Sequence, residues 1–101
     1  MWAGGLGTDR LTMASVRLDA MLREFAPRLQ LSVNATSVAG MLDELETQFP
    51  RLRYRLRDET GRLRPFVRVF LNGEEIDRGN GLATAIGTAD SIDILHSIQG
   101  G

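Results

Sequence analysis

Residues 66–73 have the sequence FVRVFLNG, and they decide how the fold is assembled. The stretch from Phe66 to Leu71 is rich in β-branched and aromatic residues, which favour strands. Asn72-Gly73 follows it directly, and this dipeptide is the strongest short hairpin signal that a sequence offers. The stretch therefore predicts a strand that turns back into a second strand over Glu75 to Arg78, which the turn-forming residues 79–81 then end.

An amphipathic helix precedes this hairpin in the chain. Ser37 can cap the free backbone N–H groups at the start of the helix. Pro50 ends it, because the residue before a proline is pushed out of the helical region. Between them an apolar stripe has the spacing i, i+3, i+4, i+7 and i+11, which is typical of one face of a helix. Its members are Val38, Met41, Leu42, Leu45 and Phe49.

Strand patterns also lie on either side of these elements. Alternating apolar and polar residues predict half-buried strands over 15–20 and 29–33, joined by a wide connection because Pro27 prevents an uninterrupted ladder. Residues 82–86 predict a short helical turn. Ile92, Ile94 and Ile98 mark a last strand that runs towards the C-terminus.

The element order is thus β-β-α-β-β-β, which predicts an α+β fold with a mixed sheet of about five strands packed on one main helix. The first and last strands are natural central neighbours, so the C-terminus is expected to leave the sheet at one end. We expect residues 1–13 to form a disordered leader, 14–98 the folded domain and 99–101 a flexible tail.

Composition limits the functions that are open to the chain. Its 101 residues, 43% of them hydrophobic, suffice for one domain, and the net charge of −1 gives no overall attraction to nucleic acid or membrane. There is no cysteine, and all twelve basic residues are arginines, so thiolate chemistry and lysine chemistry are both excluded. Residues 1–13 contain no apolar run long enough for a signal peptide, which favours a cytoplasmic location.

The closing motifs of the chain resemble those of a known family. Residues 82–86 (LATAI), residues 90–95 (DSIDIL) and the terminal Gly100-Gly101, together with the phenylalanine-led strand at 66–72, resemble the ubiquitin-like β-grasp sulfur carriers of the MoaD and ThiS family. The resemblance covers about residues 15–101 and is greatest to its CysO-like branch. His96-Ser97 departs from the proline pair of many molybdopterin-type carriers.

This resemblance implies a carrier protein and not an enzyme. The Gly101 carboxylate would be adenylated by an E1-like enzyme that uses ATP, and then converted to a thiocarboxylate that donates sulfur. In the CysO-like branch the acceptor is a PLP-dependent cysteine synthase, and a JAMM-type metallopeptidase releases the product. The carrier itself would bind no cofactor and no metal. Gly100 would give the tail access to a narrow channel, because glycine has no Cβ.

One sheet face is a candidate docking surface for these partners. If Val67, Val69 and Leu71 face the helix, strand alternation places their neighbours on the other face, close to the last strand. Exposed aromatic residues there suggest docking, although the same pattern fits apolar area covered by the arginine-rich segment 51–64. The candidate docking residues are Phe66, Arg68, Phe70, Leu95 and Ile98.

Other constellations in the sequence do not support a site. The arginines of segment 51–64 could suggest RNA contact, but Asp58, Glu59 and the net charge favour a solvated or partner-facing segment. His96 and Ser97 are strand neighbours that point to opposite faces, so they cannot form a nucleophile dyad. One histidine without cysteine makes a transition-metal site improbable.

Several functions therefore remain open from the residues alone. Within the carrier class they are cysteine synthesis, the small subunit of molybdopterin synthase, thiamin synthesis and a carrier for a sulfur-containing natural product. A ubiquitin-like modifier that is conjugated to lysines of target proteins is an alternative of another class. A passive interaction domain is the third possibility, and it would not need the terminal glycines.

Overall fold

A computed structural model describes residues 13–22, 25–26 and 30–96 of the chain. Its strands are β1 (Ala14–Leu18), β2 (Gln30–Val33), β3 (Val67–Leu71), β4 (Glu74–Glu75) and β5 (Ser91–His96), and its helix is α1 (Val38–Gln48). Short 3-10 turns lie at Ala20–Leu22, Pro50–Leu52 and Gly81–Ala83. The predicted α+β class and element order are confirmed.

The five strands form one mixed sheet in the order β2-β1-β5-β3-β4. Only the central pair, β1 and β5, runs parallel, with Val16 opposite Ile92 and Leu18 opposite Ile94. Strand β3 lies antiparallel on the other side of β5. The prediction that the first and last strands are central neighbours is therefore confirmed, and β5 is held on both of its edges.

Helix α1 begins and ends where its sequence signals predicted. The Ser37 hydroxyl accepts a hydrogen bond from the backbone N–H of Gly40 at 3.0 Å, which satisfies one of the free donors of the first turn. The helix ends at Gln48, and Phe49 donates its N–H to the carbonyl of Leu45 at 2.8 Å. Pro50 then opens a 3-10 turn. Phe49, the last residue of the apolar stripe, therefore lies just beyond the end of the helix.

The core lies between α1 and one face of the sheet. The helix contributes Val38, Met41, Leu42 and Leu45, all fully buried. Because alternate residues of a strand share a face, each of the four longer strands sends two or three of its side chains to the same core. The buried strand residues are Ala14, Val16, Leu18, Leu31, Val33, Val67, Val69, Ile92 and Ile94.

The hairpin at Asn72-Gly73 is confirmed, but its second strand is shorter than predicted. Both turn residues have positive φ angles, 52° and 89°, as this tight turn requires. Strand β4 covers only Glu74–Glu75, not Glu75 to Arg78. The ladder ends because the Asp77 side chain accepts hydrogen bonds from the N–H groups of Gly79 and Asn80, which fold the chain into a turn there.

Segment 51–64 is ordered and contributes to the core, whereas its sequence predicted an irregular, solvated stretch. Its leucines, at positions 52, 56 and 63, are buried. Arg57 joins the segment to helix α1 through hydrogen bonds to Glu46 at 3.0 and 3.1 Å and to Asp43 at 2.7 Å. Burial opposes the charge of Arg57, but these carboxylates raise its pKa above the usual value.

Over the described ranges, the structure contains no helix with the length and hydropathy of a membrane span.

Candidate functional site

The end of β5 is the last described point before the terminal glycines. A side chain that sequence analysis did not single out fixes this point: Asp19, directly after β1, accepts a hydrogen bond from the backbone N–H of His96 at 2.9 Å. The backbone N–H of Asp19 donates in turn to the carbonyl of Ile94 at 2.9 Å. The ladder between β1 and β5 is thereby extended by one residue, and the chain leaves the sheet at a defined place.

The predicted tail residues lie outside the described part of the chain. These are Ile98, Gly100 and Gly101, and their assignments stay predictions. Ser97 also lies outside it. His96 is half-buried, and its ring lies 4.8 Å from the ring of Phe66, measured between centroids.

The sheet face turned away from α1 brings three of the predicted docking residues together. Arg68 on β3 is paired with Leu95 on β5, and Phe70 lies two residues further along β3 on the same face. Leu95 is 41% exposed. The Arg68 guanidinium lies 5.1 Å from the centre of the Phe70 ring. We call this surface the open face and define it by Arg17, Arg68, Phe70, Glu75, Asp93 and Leu95.

Charged pairs border the apolar centre of the open face. Arg17 on β1 donates to Asp93 on β5 at 2.7 Å, and Arg68 donates to Glu75 on β4 at 2.8 and 3.1 Å. The hydrogen bond from Arg68 lowers the pKa of Glu75, so this carboxylate stays ionised over a wider pH range. Phe70 and Leu95 line a shallow groove of about 350 Å³ together with the Arg17–Asp93 pair.

Phe66 is not part of the open face, although its position in the sequence predicted that it would be. Strand β3 begins at Val67, so strand alternation does not extend to Phe66. Its half-buried ring packs against the core and against His96 instead. It lies at the end of the sheet, next to the point where the tail begins.

Two other features of the sequence can be located in the structure, namely the arginines of segment 51–64 and the side chains that could bind a metal ion. Of the six arginines in segment 51–64, Arg57 is held by two carboxylates, and Arg64 donates from its Nε to the carbonyl of Tyr54 at 2.9 Å. Within residues 13–22, 25–26 and 30–96, no three His, Cys, Asp or Glu side chains come together as a metal site would require.

Comparison with known proteins assigns the family. A family model described as the ThiS family matches residues 16–101, which includes the terminal Gly100-Gly101. The chain belongs to the ThiS family. As a member it is a small carrier protein and not an enzyme, as its sequence predicted.

Individual relatives of this ThiS-family chain agree with the assignment. It is 33% identical over 73 residues to the sulfur carrier protein CysO of Mycobacterium tuberculosis. The aligned region covers 70% of this chain and 78% of CysO. The solution structure of small archaeal modifier protein 1 from Methanosarcina acetivorans superposes with a TM-score of 0.76 at 30% identity, and covers 89% of this chain and 97% of that chain.

A further structure supports the fold alone, since its identity is lower. The crystal structure of the Amycolatopsis orientalis BexX/CysO complex gives a TM-score of 0.77 at 24% identity and covers 87% of this chain and 99% of that chain. Together these neighbours confirm the predicted ubiquitin-like β-grasp fold of the ThiS-family chain.

Proposed function

We propose that this chain carries sulfur as a thiocarboxylate on Gly101. The observation that carries the proposal is the central position of β5, which ends at His96 between two neighbouring strands, five residues before the end of the chain. The match to the ThiS family extends over those five residues. The folded domain would present the Gly101 carboxylate, and the chemistry would be done by partner enzymes.

The chemistry requires only a reachable carboxylate. An oxygen of Gly101 attacks the α-phosphorus of ATP on an E1-like enzyme, and pyrophosphate leaves. Hydrosulfide then adds to the carbonyl carbon of the acyl adenylate, and AMP leaves with the former carboxylate oxygen. Gly100 supports this route because a residue without Cβ can pass a narrow channel.

The open face is the surface that we assign to docking of these enzymes. Its centre is apolar and accessible at Phe70 and Leu95, and its margin is charged, which is the usual arrangement of a protein–protein interface. Arg68 belongs to both parts, because it lies over Phe70 while its guanidinium is paired with Glu75. Ile98 and Phe66 extend the candidate docking set towards the tail.

Within the carrier class we propose a role in cysteine synthesis. The support is the 33% identity to CysO, whose name is that of a sulfur carrier protein. The acceptor would be a PLP-dependent cysteine synthase, and a JAMM-type metallopeptidase would release the product. The molybdopterin synthase small subunit and a carrier for a sulfur-containing natural product are the alternatives.

A ubiquitin-like modifier is a second candidate from another class. It is favoured by the likeness to small archaeal modifier protein 1, which is 30% identical and superposes over 89% of this chain. A modifier needs the same activation but ends as an amide on target lysines. In cells it would give a ladder of higher-mass conjugates on immunoblots, whereas a dedicated sulfur carrier would not.

Sulfur loading gives the direct test of the proposal. After incubation with the cognate activating enzyme, ATP and sodium sulfide, we expect the intact chain to gain about 16 Da, because one oxygen is replaced by sulfur. Mass spectrometry of the C-terminal peptide would place the gain on Gly101. A reaction without ATP is the control. A chain that stays at its original mass under these conditions would contradict the proposal.

A substitution in the open face is expected to weaken binding of the activating enzyme and to leave the chemical step unchanged. We expect Leu95→Glu to raise the KM of the activating enzyme for the carrier about tenfold and to leave kcat within about twofold, because it replaces an apolar contact at the centre of the interface with a charge that docking must desolvate. Leu95 is exposed, so the melting temperature should stay unchanged. Thr88→Glu, in an exposed turn outside the open face, is the matched control. Equal KM values for the two variants would show that the activating enzyme does not dock on the open face.

A further inference from the structure

A second groove lies at the end of the sheet, on the other side of β5 from the open face. It has a volume of about 420 Å³ and opens beside His96, the last described residue before the tail. We call it the exit groove. The residues that matter for its chemistry are Phe25, Tyr54, Arg55, Arg64, Phe66 and His96.

We propose that the exit groove binds an acidic segment of a partner protein, in which a large apolar side chain lies between carboxylates. The link to an enzyme that acts on the tail rests on the proposed function. The chemical preference of the groove does not, because it follows from the lining residues alone.

The apolar part of the preference comes from two rings. Phe25 and Phe66 are half-buried and pack against the core, so each keeps an accessible part that lines the groove. Phe66 is fixed further by its contact with the His96 ring. Aromatic walls of this kind receive an apolar side chain well, because they bury a large area without losing much conformational freedom.

The acidic part of the preference comes from two guanidinium groups. Arg55 lies 4.4 Å above the centre of the Phe25 ring, which holds its charge at the margin of the groove. Arg64 is fixed by its hydrogen bond to the Tyr54 carbonyl. The described residues supply neither guanidinium with an ion pair, and no carboxylate is among the described residues that line the groove. Arg64 also interacts electrostatically with Asp58, whereas Arg55 is exposed at the margin of the groove, where it can pair with a carboxylate of a ligand.

His96 lies at the wall of the exit groove. The Nδ1 atom of His96 is buried and has no hydrogen-bond partner among the described residues. Buried polar atoms in native proteins are nearly always hydrogen-bonded, so its partner is expected to lie outside the described residues.

The observations favour a polypeptide over RNA. Arg57 is already paired with Asp43 and Glu46, and the net charge of the chain is −1, so the electrostatic attraction for a phosphate backbone is small. The position of the groove points the same way. An enzyme that grips the tail beyond His96 must pass this end of the sheet, where a second contact would fix the orientation of the carrier.

NMR titration of the full chain with capped peptides tests the proposal. The probe is a pentapeptide with a central phenylalanine between two aspartates and two glutamates, and serine replaces the phenylalanine in the control peptide. We expect the amide resonances of Arg55, Phe66 and His96 to shift most. Arg55→Glu should weaken binding about tenfold, and the serine peptide should bind about fivefold more weakly than the probe.

Two controls make the test decisive. Arg62→Glu changes the same charge in the same segment but lies outside the groove, and should alter the dissociation constant less than about twofold. An oligouridylate that binds as tightly as the peptide and shifts the same resonances would overturn the proposal, as would an equal effect of Arg55→Glu and Arg62→Glu. Sulfur loading of the wild-type chain is scored separately, so failure of the proposed function does not affect the reading of the titration.

Discussion

Deletion of Gly101 is expected to abolish sulfur loading without unfolding the domain. The deletion leaves a carboxylate on Gly100, but it moves that group back along the chain by about 3.5 Å. Misplacement of a reacting group by only about 1 Å can cost a factor of about 100 in rate, so loading should fall below detection. The chain contains neither cysteine nor lysine, and therefore offers no substitute position for sulfur or acyl transfer.

Mass spectrometry and thermal melting together check this prediction. The deleted chain should show no mass gain with activating enzyme, ATP and sulfide, while its melting temperature stays within about 2 °C of the wild type. The second expectation follows because the buried core of the described residues runs from Ala14 to Ile94 and does not include the end of β5. Gln99→Ala preserves the length of the tail and should load within about threefold of wild type. A deleted chain that still gains sulfur would assign the chemistry to another group.

Leu45→Ala is expected to cause a large loss of stability while leaving the helix cap intact. Leu45 is fully buried on α1, and alanine is the best helix former, so the loss measures packing and not helix propensity. Large-to-small substitutions of this kind lower the free energy of unfolding by about 3 kcal/mol. For a domain of this size, that is a large part of the total stability.

Urea unfolding followed by circular dichroism measures this loss. Thr47→Ala on the exposed side of the same helix is the matched control, and should change the free energy of unfolding by less than about 0.5 kcal/mol. If the two variants unfold at the same urea concentration, the assignment of the α1 stripe to the core is wrong. Sulfur loading of folded Leu45→Ala should match wild type, because Leu45 lies in the core, on the side of the sheet opposite the open face.

The helix and the strand order were predictable because independent local signals agree. For α1, the cap at Ser37, the apolar stripe and Pro50 indicate the same boundaries. Segment 51–64 was not predictable, since its leucines alternate with arginines in a pattern that fits a solvated stretch equally well. Their burial depends on packing with the rest of the core, which local sequence does not show.

The candidate site was predictable only in part, for a similar reason. Strand alternation correctly placed Arg68 and Phe70 on one face with Leu95. It failed for Phe66, which precedes the strand. Asp19 could not be singled out, because its partner His96 is 77 positions away and meets it only through the parallel register of β1 and β5. A carboxylate directly after a strand is at most a weak hint that such a contact exists.

The parallel pairing of β1 and β5 also has a mechanical consequence. A partner enzyme that draws on the C-terminus pulls β5 along its own axis, while β1 and β3 hold it from both sides. The hydrogen bonds across these strands lie roughly across the direction of pull, so they resist sliding together instead of opening one after another. Force applied at the tail would be spread over the middle of the sheet. The carrier is therefore expected to stay folded when a partner enzyme pulls on its C-terminus.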